Sequence, residues 1–272
     1  MLGAAVSYGA GGCALDVNQD GLTDLVLLEE GSGGHLGVMV WLEAPSWRRH
    51  LIDTGAAFRD CLPAVIHGRR GVLVTHRQMQ VRFYEAAGKG RWPYREIYSI
   101  YTPSAQGGLL VSDVDGDSLP DILCGNYWIQ SPRKFEESWR LFAIHNWWEE
   151  PRSAMVRIAL GAHYIAAESE EAPARLSWFE KPADPKELWV EHPLQLEPPL
   201  KKPQALLATE NGFLVGEDEG SGSRLIRFDR QGGSYRPAIV ATSSGFRGLW
   251  QGSGRIFAAT GDAILMFRGS AP

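Results

Sequence analysis

The sequence lacks the features that mark several large classes of protein. Only three cysteines occur among its 272 residues, Cys13, Cys61 and Cys124, and they show no CxxC spacing of a metal site. This odd number makes a disulfide framework improbable. The longest apolar runs, such as residues 38–42, fall far short of the roughly 20 residues that span a bilayer. We therefore expect no membrane span.

Strong charge and targeting signals are also missing. The formal net charge is -5 and no segment concentrates Lys or Arg, so the chain has no electrostatic footprint for nucleic acid. The residues after Met1 lack the basic and apolar parts of a secretory signal peptide. We expect no nucleic-acid partner, and the compartment stays open at this point.

The sequence contains no signature motif of a common enzyme class. The seven histidines form no HExxH or HxH, and GxSxG, a P-loop and a GxGxxG after a strand are all missing. These absences leave the catalytic residues unknown and argue against a zinc site.

Glycine and aromatic residues are plentiful, and they recur with a regular spacing. Thirty-one Gly and 16 Pro accompany 10 Trp, 8 Tyr and 10 Phe, a mixture typical of short strands joined by tight turns. Segments 41–45, 128–132 and 178–182 are near copies of a Trp-x-x-x-Pro pattern. Aligned at Glu43, this pattern or a looser version recurs at positions 43, 85, 130, 180, 229 and 268. The spacing of about 45 residues is that of β-propeller blades.

A second series of aromatic residues follows one strand later. Its sixth member falls beyond the end of the chain, so we expect residues 2–8 to supply the missing outer strand of the last blade. The sequence therefore predicts an all-β, six-bladed β-propeller in one domain, residues 1–272, closed by the N-terminal strand. Seven blades and a β-sandwich are less favoured alternatives. The second series comprises Trp47, Tyr94, Trp139, Trp189 and Tyr235.

Two acidic loops, residues 16–24 and 113–121, carry the clearest chemical signal. In both, side-chain oxygens recur at positions 1, 3, 5 and 9, and a backbone carbonyl is available at position 7. This density of oxygen ligands suits calcium. An EF-hand is excluded because position 12 is Leu27 or Cys124 instead of Glu. A metal-free alternative treats the Asp-Gly pairs as ordinary turn chemistry.

These loops, together with the blade-length repeat, resemble the FG-GAP/VCBS repeat family, whose DxDxDG-type loops join the first two strands of a propeller blade. The resemblance implies structural calcium ions and favours an extracellular or periplasmic location. The motif matches two of six blades, and the second loop departs from it with Gly116 at position 4 and Ser118 at position 6. The implied ligands are Asp16, Asn18, Asp20, Leu22 and Asp24 in the first loop, and Asp113, Asp115, Asp117, Leu119 and Asp121 in the second.

The resemblance places the ligand entrance on the face opposite the calcium loops, where connections into the innermost strands surround the channel mouth. Several of these connections carry a cation, and two tryptophans offer a stacking surface. A carbohydrate, another polar or anionic ligand, or a protein partner is therefore the expected ligand. A purely solvated rim is the alternative. The candidate residues are Arg59, Asp60, Arg152, Lys202, Arg247, Trp147, Trp148 and His163.

An enzymatic alternative comes from proteins with a similar repeat pattern that are sugar lyases or dehydratases, including aldos-2-ulose dehydratase. A lyase needs a base to remove a proton beside a carbonyl and a cation to stabilise the enolate. His163 or His67 would serve as the base, and Arg247 or Arg59 as the cation. Fold analogy alone is a weak argument, because propellers carry many functions.

Overall fold

The computed structural model describes residues 11–29, 37–77, 79–102, 106–146, 155–168, 173–252 and 254–268. Within these ranges every regular element is a β-strand and no α-helix occurs. The described part of the chain therefore has no helix of the length and apolarity needed to cross a membrane. The chain divides into two compact units, Met1–Ala143 and Ile144–Pro272.

The first unit contains three sheets, each an antiparallel meander of four consecutive strands. We call these sheets blades 1 to 3. Blade 1 consists of β1 (Gly12–Leu15), β2 (Asp24–Glu29), β3 (Gly37–Glu43) and β4 (Arg48–Ala56). Blade 2 consists of β5 (Phe58–Ile66), β6 (Arg69–His76), β7 (Met79–Glu85) and β8 (Tyr94–Ile100). Blade 3 consists of β9 (Leu110–Ser112), β10 (Asp121–Cys124), β11 (Tyr127–Gln130) and β12 (Arg140–Ala143).

The second unit continues the same pattern with blades 4 to 6. Blade 4 consists of β13 (Met155–Leu160), β14 (Tyr164–Glu168), β15 (Leu176–Glu180) and β16 (Val190–Pro193). Blade 5 consists of β17 (Pro203–Thr209), β18 (Gly212–Glu217), β19 (Ser223–Gln231) and β20 (Ser234–Ser243). Blade 6 consists of β21 (Phe246–Gly252), β22 (Arg255–Thr260) and β23 (Ile264–Arg268).

The aromatic repeat marks the third strand of every blade. Glu43, Glu85, Gln130 and Glu180 each end such a strand, and Arg268 ends β23. Because side chains alternate along a strand, residues at equivalent positions of these third strands point to the same face of their sheets. Six consecutive antiparallel meanders are the topology of propeller blades. The predicted fold class, an all-β six-bladed β-propeller, is confirmed.

The recurring tryptophans of the third strands pack against rings of the fourth strands. Each lies directly opposite its partner in the strand register, where side chains on one face of a sheet come close together. The three tryptophans are at most 5% exposed. Ring centroids are 4.5 Å apart for Trp41 and His50, 4.8 Å for Trp128 and Phe142, and 3.8 Å for Trp178 and His192.

Blade 6 has three strands among the described residues. Its last strand, β23, exposes two apolar side chains, Ile264 at 66% and Met266 at 54%. The predicted closing strand, residues 2–8, lies outside the described residues, so closure by the N-terminal strand stays a prediction. The single domain spanning residues 1–272 also stays a prediction.

A disulfide bond joins Cys13 of β1 to Cys61 of β5, with their Cα atoms 5.6 Å apart. The sequence made a disulfide framework improbable, and this single bond was not anticipated from it. The two cysteines are separated by 48 positions, but they lie on the first strands of adjacent blades, which pack together. Counting cysteines could not reveal this, because Cys124 is a free, buried thiol that makes the total odd.

We predict that this disulfide stabilises the first unit. In the chain-entropy account, a bond that closes a loop of this length reduces the entropy of the unfolded chain. This loss raises the free energy of the unfolded state by up to about 4 kcal/mol at 25 °C. The variant Cys13→Ser/Cys61→Ser, or wild type with a reductant, is expected to melt several degrees lower in a circular-dichroism scan. The control Cys124→Ala keeps its response to reductant, and an unchanged melting temperature on reduction contradicts the prediction.

Candidate functional site

The two acidic loops occupy the positions predicted for them. Residues 16–23 connect β1 to β2, and residues 113–120 connect β9 to β10. We call the end of a blade that carries this first connection the loop end, and the end that carries the hairpin between second and third strands the mouth end. Both acidic loops therefore lie at the loop ends of blades 1 and 3.

The second loop gathers three carboxylates around one point. One oxygen each of Asp113, Asp115 and Asp117 lies within 4.8 Å of the others. Backbone amides of the loop donate to the same carboxylates: Gly116 N–H donates to Asp113 Oδ1 at 2.7 Å and Leu119 N–H to Asp117 Oδ1 at 2.8 Å. Among the described residues no Lys, Arg or His forms an ion pair with these three carboxylates. Their mutual repulsion favours a bound cation.

The first loop is built in the same way with one carboxylate fewer. Asp16 accepts hydrogen bonds from the amides of Asp20 and Gly21 at 3.1 and 3.0 Å. Asn18 replaces the second aspartate, and its side-chain amide donates to Asp20 Oδ2 at 2.9 Å. In addition, Arg70 donates from Nη2 to the carbonyl of Asp16 at 2.6 Å. The first loop thus carries less uncompensated negative charge than the second.

Positive φ angles curl both loops at the same two positions. In the first loop Gln19 has φ 61° at position 4 and Gly21 has φ 86° at position 6. The second loop reverses the residue types, with Gly116 at φ 80° and Ser118 at φ 68°. The departure of the second loop from the sequence motif is therefore a shift of its glycine between two left-handed positions, and the backbone curl is retained.

The aspartate at position 9 of each loop is fully buried and anchors the loop to its blade. Both Asp24 and Asp121 are 0% exposed. Asp24 accepts from the amides of Val17 at 2.9 Å and Ala44 at 2.8 Å. Asp121 accepts the equivalent pair, from Val114 at 2.9 Å and Ser131 at 2.8 Å.

Burial raises the pKa of Asp121 to about 6. The two backbone amides oppose this shift, whereas the negative charges of Asp115 and Asp117 add to it. Burial is thus the main cause of the raised pKa of Asp121, and the neighbouring carboxylates add a smaller contribution. A cation among those carboxylates would offset that contribution.

We predict that the left-handed positions limit the stability of both loops. Adding a Cβ at Gly21 or Gly116, by substitution with Ala, is expected to destabilise by about 1 kcal/mol. Conversely, Gln19→Gly and Ser118→Gly are expected to stabilise by roughly half as much, because glycine also gains entropy when unfolded. Urea unfolding at fixed calcium measures both effects. Gly233→Ala is the control, since Gly233 has open space around it and no positive φ.

At the mouth end of the first unit, Arg59 and Asp60 lie near the start of β5. Asp60 Oδ2 accepts a hydrogen bond from the amide of Gly108 at 3.1 Å and another from the hydroxyl of Thr75. Arg59 donates to the carbonyl of Arg77 at 3.4 Å. Asp60 therefore joins β5, β6 and the connection into blade 3. Its observed contacts are structural.

At the mouth end of the second unit, three successive acids of the β18–β19 hairpin each pair with a different cation. Lys202 Nζ lies 3.1 Å from Glu219, and Arg247 Nε lies 3.3 Å from Asp218. Both cations remain accessible, with their side chains 52% and 62% exposed. The predicted cations are thus present at the surface, but their charges are compensated.

The third pair, Glu217 with Arg224, is buried. Arg224 donates from Nε to one carboxylate oxygen at 2.8 Å and from its backbone amide to the same oxygen at 3.1 Å. Burial alone would raise the pKa of Glu217, but the Arg224 guanidinium and the amides of Lys201 and Arg224 hold that pKa below its usual value. The charge of Glu217 is therefore kept, and the pair fixes the connection that carries Lys202.

Sequence reasoning missed the parts of this cluster that matter most, Glu219 and Arg224. The available signal was the run of acids at residues 217–219, which lies at a hairpin beside the cationic connection at residues 201–202. Neighbouring groups of opposite charge at the ends of paired strands predict that these acids and cations pair.

His163 is not part of the mouth, which corrects the prediction. It lies in the turn between β13 and β14, at the loop end of blade 4. Its Nδ1 is 2.8 Å from the hydroxyl of Tyr235, and its ring packs 4.2 Å from Trp178. Burial, reinforced by the positive charge of Arg230, lowers the pKa of His163. The side chain is a packing element.

The lyase constellation is not assembled within either unit. His163 and Arg247 lie at opposite ends of their blades. His67 follows the last residue of β5, whereas Arg59 is near its first, a separation of roughly 25 Å along an extended strand. A base and an oxyanion donor must lie within about 3 Å of the reacting atoms. The other predicted mouth residues, Trp147, Trp148 and Arg152, lie outside the described residues.

No known family profile matches the chain, and no curated protein matches it in sequence. Solved structures do match its fold. YCF48 from Cyanidioschyzon merolae aligns over 90% of this chain and 79% of its own length, with a TM-score of 0.55 and 11% sequence identity. At this identity the likeness shows the fold, which is that of a six-bladed β-propeller.

Proposed function

We propose that this protein is a calcium-stabilised β-propeller that binds a polar ligand at the mouth ends of its blades. The observation that carries the calcium proposal is the convergence of Asp113, Asp115 and Asp117 within 4.8 Å, with no described cation paired to them. Calcium takes six to eight hard oxygen ligands, and short carboxylates on a curled loop provide them. This arrangement fits the FG-GAP/VCBS resemblance and supports it at the level of the loops.

In the second loop Asp113, Asp115 and Asp117 would hold the ion, with Asp121 behind them and the carbonyl of Leu119 as a further donor. The first loop would use Asp16, Asn18 and Asp20 with Asp24 and Leu22 in the equivalent roles. Calcium would supply positive charge that offsets the repulsion of the carboxylates. Since both loops join strands of a blade, the ion would stabilise the fold and would not take part in ligand chemistry.

We predict that removal of calcium lowers the melting temperature. Binding to the folded state alone stabilises by about 3 kcal/mol at a hundredfold excess over the dissociation constant, which corresponds to a shift of roughly 5–10 °C for a chain of this size. Asp117→Asn is expected to remove most of the response of the second loop, and Asp20→Asn that of the first.

Differential scanning calorimetry with EDTA and with added calcium measures this effect. Asp184→Asn is the matched control, because Asp184 lies far along the chain from both loops and caps a turn through the amide of Lys186. A melting curve that is identical in EDTA and in calcium rules out the ion at both loops.

The ligand proposal rests on the paired charges at the mouth end of blade 5. Lys202 and Arg247 are more than half exposed, yet acids of residues 217–219 lie 3.1 and 3.3 Å away. Donors and acceptors therefore stand side by side at the surface. Hydroxyl groups both donate and accept hydrogen bonds, so such a surface suits a carbohydrate or another polyhydroxylated ligand better than a simple anion.

We expect Arg247→Ala to weaken carbohydrate binding by about threefold to tenfold, since one exposed hydrogen-bonding partner of the ligand is lost. The test is a screen of neutral and acidic oligosaccharides by thermal shift, followed by titration calorimetry on any hit. Arg255→Ala, an exposed arginine of β22, is the control. If no sugar shifts the melting curve but a protein partner is captured and lost in Arg247→Ala, the mouth end binds protein instead.

The disulfide between Cys13 and Cys61 supports an oxidising location for the mature protein. Such bonds persist in extracellular and periplasmic environments and are rare where thiols are kept reduced. This agrees with the location that the family resemblance favours. The lyase alternative is not carried into the proposal, because its histidines lie at the wrong ends of their blades.

A further inference from the structure

The second unit contains a cavity that the proposed function does not use. It has a volume of about 440 Å³ and lies between blades 5 and 6, within the size range of pockets for small molecules. Leu214 and Leu225, which are 4% and 0% exposed, form its floor. The apolar part of the wall is completed by Val240, Ile256 and Phe267.

The cavity opens away from the mouth. Its rim includes Thr209 at the end of β17, the turn residues 210–211 between β17 and β18, and Gln251 near the turn between β21 and β22. Both turns are first connections of their blades and therefore lie at the loop end. Lys202 and Arg247 are at the other end, so a ligand in this cavity would be independent of the mouth.

Two arginines border the apolar cavity on one face of the β19–β20 pair. Arg227 lines it, and Arg236 lines a second cavity of about 320 Å³ that shares Arg227 and Asp229 with the first. Asp229 lies directly opposite Arg236 in the strand register and accepts a hydrogen bond from Arg227 Nε at 3.0 Å. The two cavities thus share a border that consists of two cations and one acid.

The arginine nitrogens at this border have spare donor capacity. Within the described ranges, no group accepts a hydrogen bond from the η nitrogens of Arg227 or from the guanidinium of Arg236. One further acid, Glu210, stands in the exposed turn on the far rim. Guanidinium groups bind carboxylates and related oxyanions through paired N–H donors. The border therefore complements an anion placed beside the apolar cavity.

We propose that the groove between blades 5 and 6 binds a small amphipathic organic anion. Its apolar body would occupy the cavity over Leu214 and Leu225, and its carboxylate or sulfonate group would lie against Arg227 and Arg236. The buried apolar floor supplies the affinity, and the arginines orient the ligand. A neutral apolar molecule of the same shape would fit the cavity but would lack the oriented end.

The test uses two fluorescent probes of matched shape on the full chain. 8-Anilinonaphthalene-1-sulfonate carries the anionic group, and N-phenyl-1-naphthylamine lacks it. We expect saturable one-to-one binding of the sulfonate. Arg227→Gln or Arg236→Gln should weaken it roughly threefold to fivefold, the size typical of an exposed charge pair, whereas the neutral probe should change less than about twofold. Glu210→Gln should tighten sulfonate binding, because it removes a repulsive charge.

Two further variants make the outcome decisive. Val240→Trp fills the cavity from a partly exposed position and should abolish binding of both probes, while a circular-dichroism melt confirms that the variant is folded. Arg255→Gln, which removes an exposed arginine that contacts Met266, should leave both probes unaffected. Sulfonate binding that survives Val240→Trp, or that responds equally to Arg255→Gln and Arg227→Gln, would overturn the proposal.

Discussion

Two buried carboxylates, Asp24 and Asp121, fix the relation between the acidic loops and the blades that carry them. Each uses both oxygens to satisfy one amide of its own loop and one amide of the connection after the third strand. An unsatisfied buried amide is costly, so neither the loop nor the connection can move independently. The loop is thereby held in a curl that turns its remaining carboxylates towards one another. The electrostatic repulsion between these carboxylates follows from this packing.

The same anchor explains why the loops could be recognised from the sequence. Position 9 must be an acid to bridge two amides, and positions 1, 3 and 5 must be short and polar to cap the curl, so the local pattern encodes the local structure. The repeat was equally readable, because blades 1, 3 and 4 each bury a third-strand tryptophan, Trp41, Trp128 or Trp178. Both signals depend on contacts within one blade.

What could not be predicted depends on contacts between elements distant in the sequence. The Cys13–Cys61 bond requires two first strands to lie side by side, and the sequence of neither strand indicates which strand it packs against. His163 was predicted at the mouth, but this residue lies in the first connection of blade 4, at its loop end. Blade 4 has no acidic loop that would have marked its first connection in the sequence. Likewise, Lys202 and Arg247 were predicted as ligand-binding cations, and their pairing with specific acids was not predicted, because those acids are contributed by another connection.

The two arginine environments of the second unit differ in a way that bears on ligand choice. At the mouth end each cation faces its own acid, so an incoming anion would have to displace a carboxylate that is already well placed. A ligand with both donors and acceptors avoids that competition, because it can add to the pair without breaking it. In the groove between blades 5 and 6, one acid, Asp229, stands between Arg227 and Arg236, and the adjoining floor is apolar. An anion bound there would contact arginine N–H groups that have no other acceptor among the described residues, beside an apolar surface. The unit therefore separates a neutral, hydrogen-bonding surface from an amphipathic one, at opposite ends of the same blade.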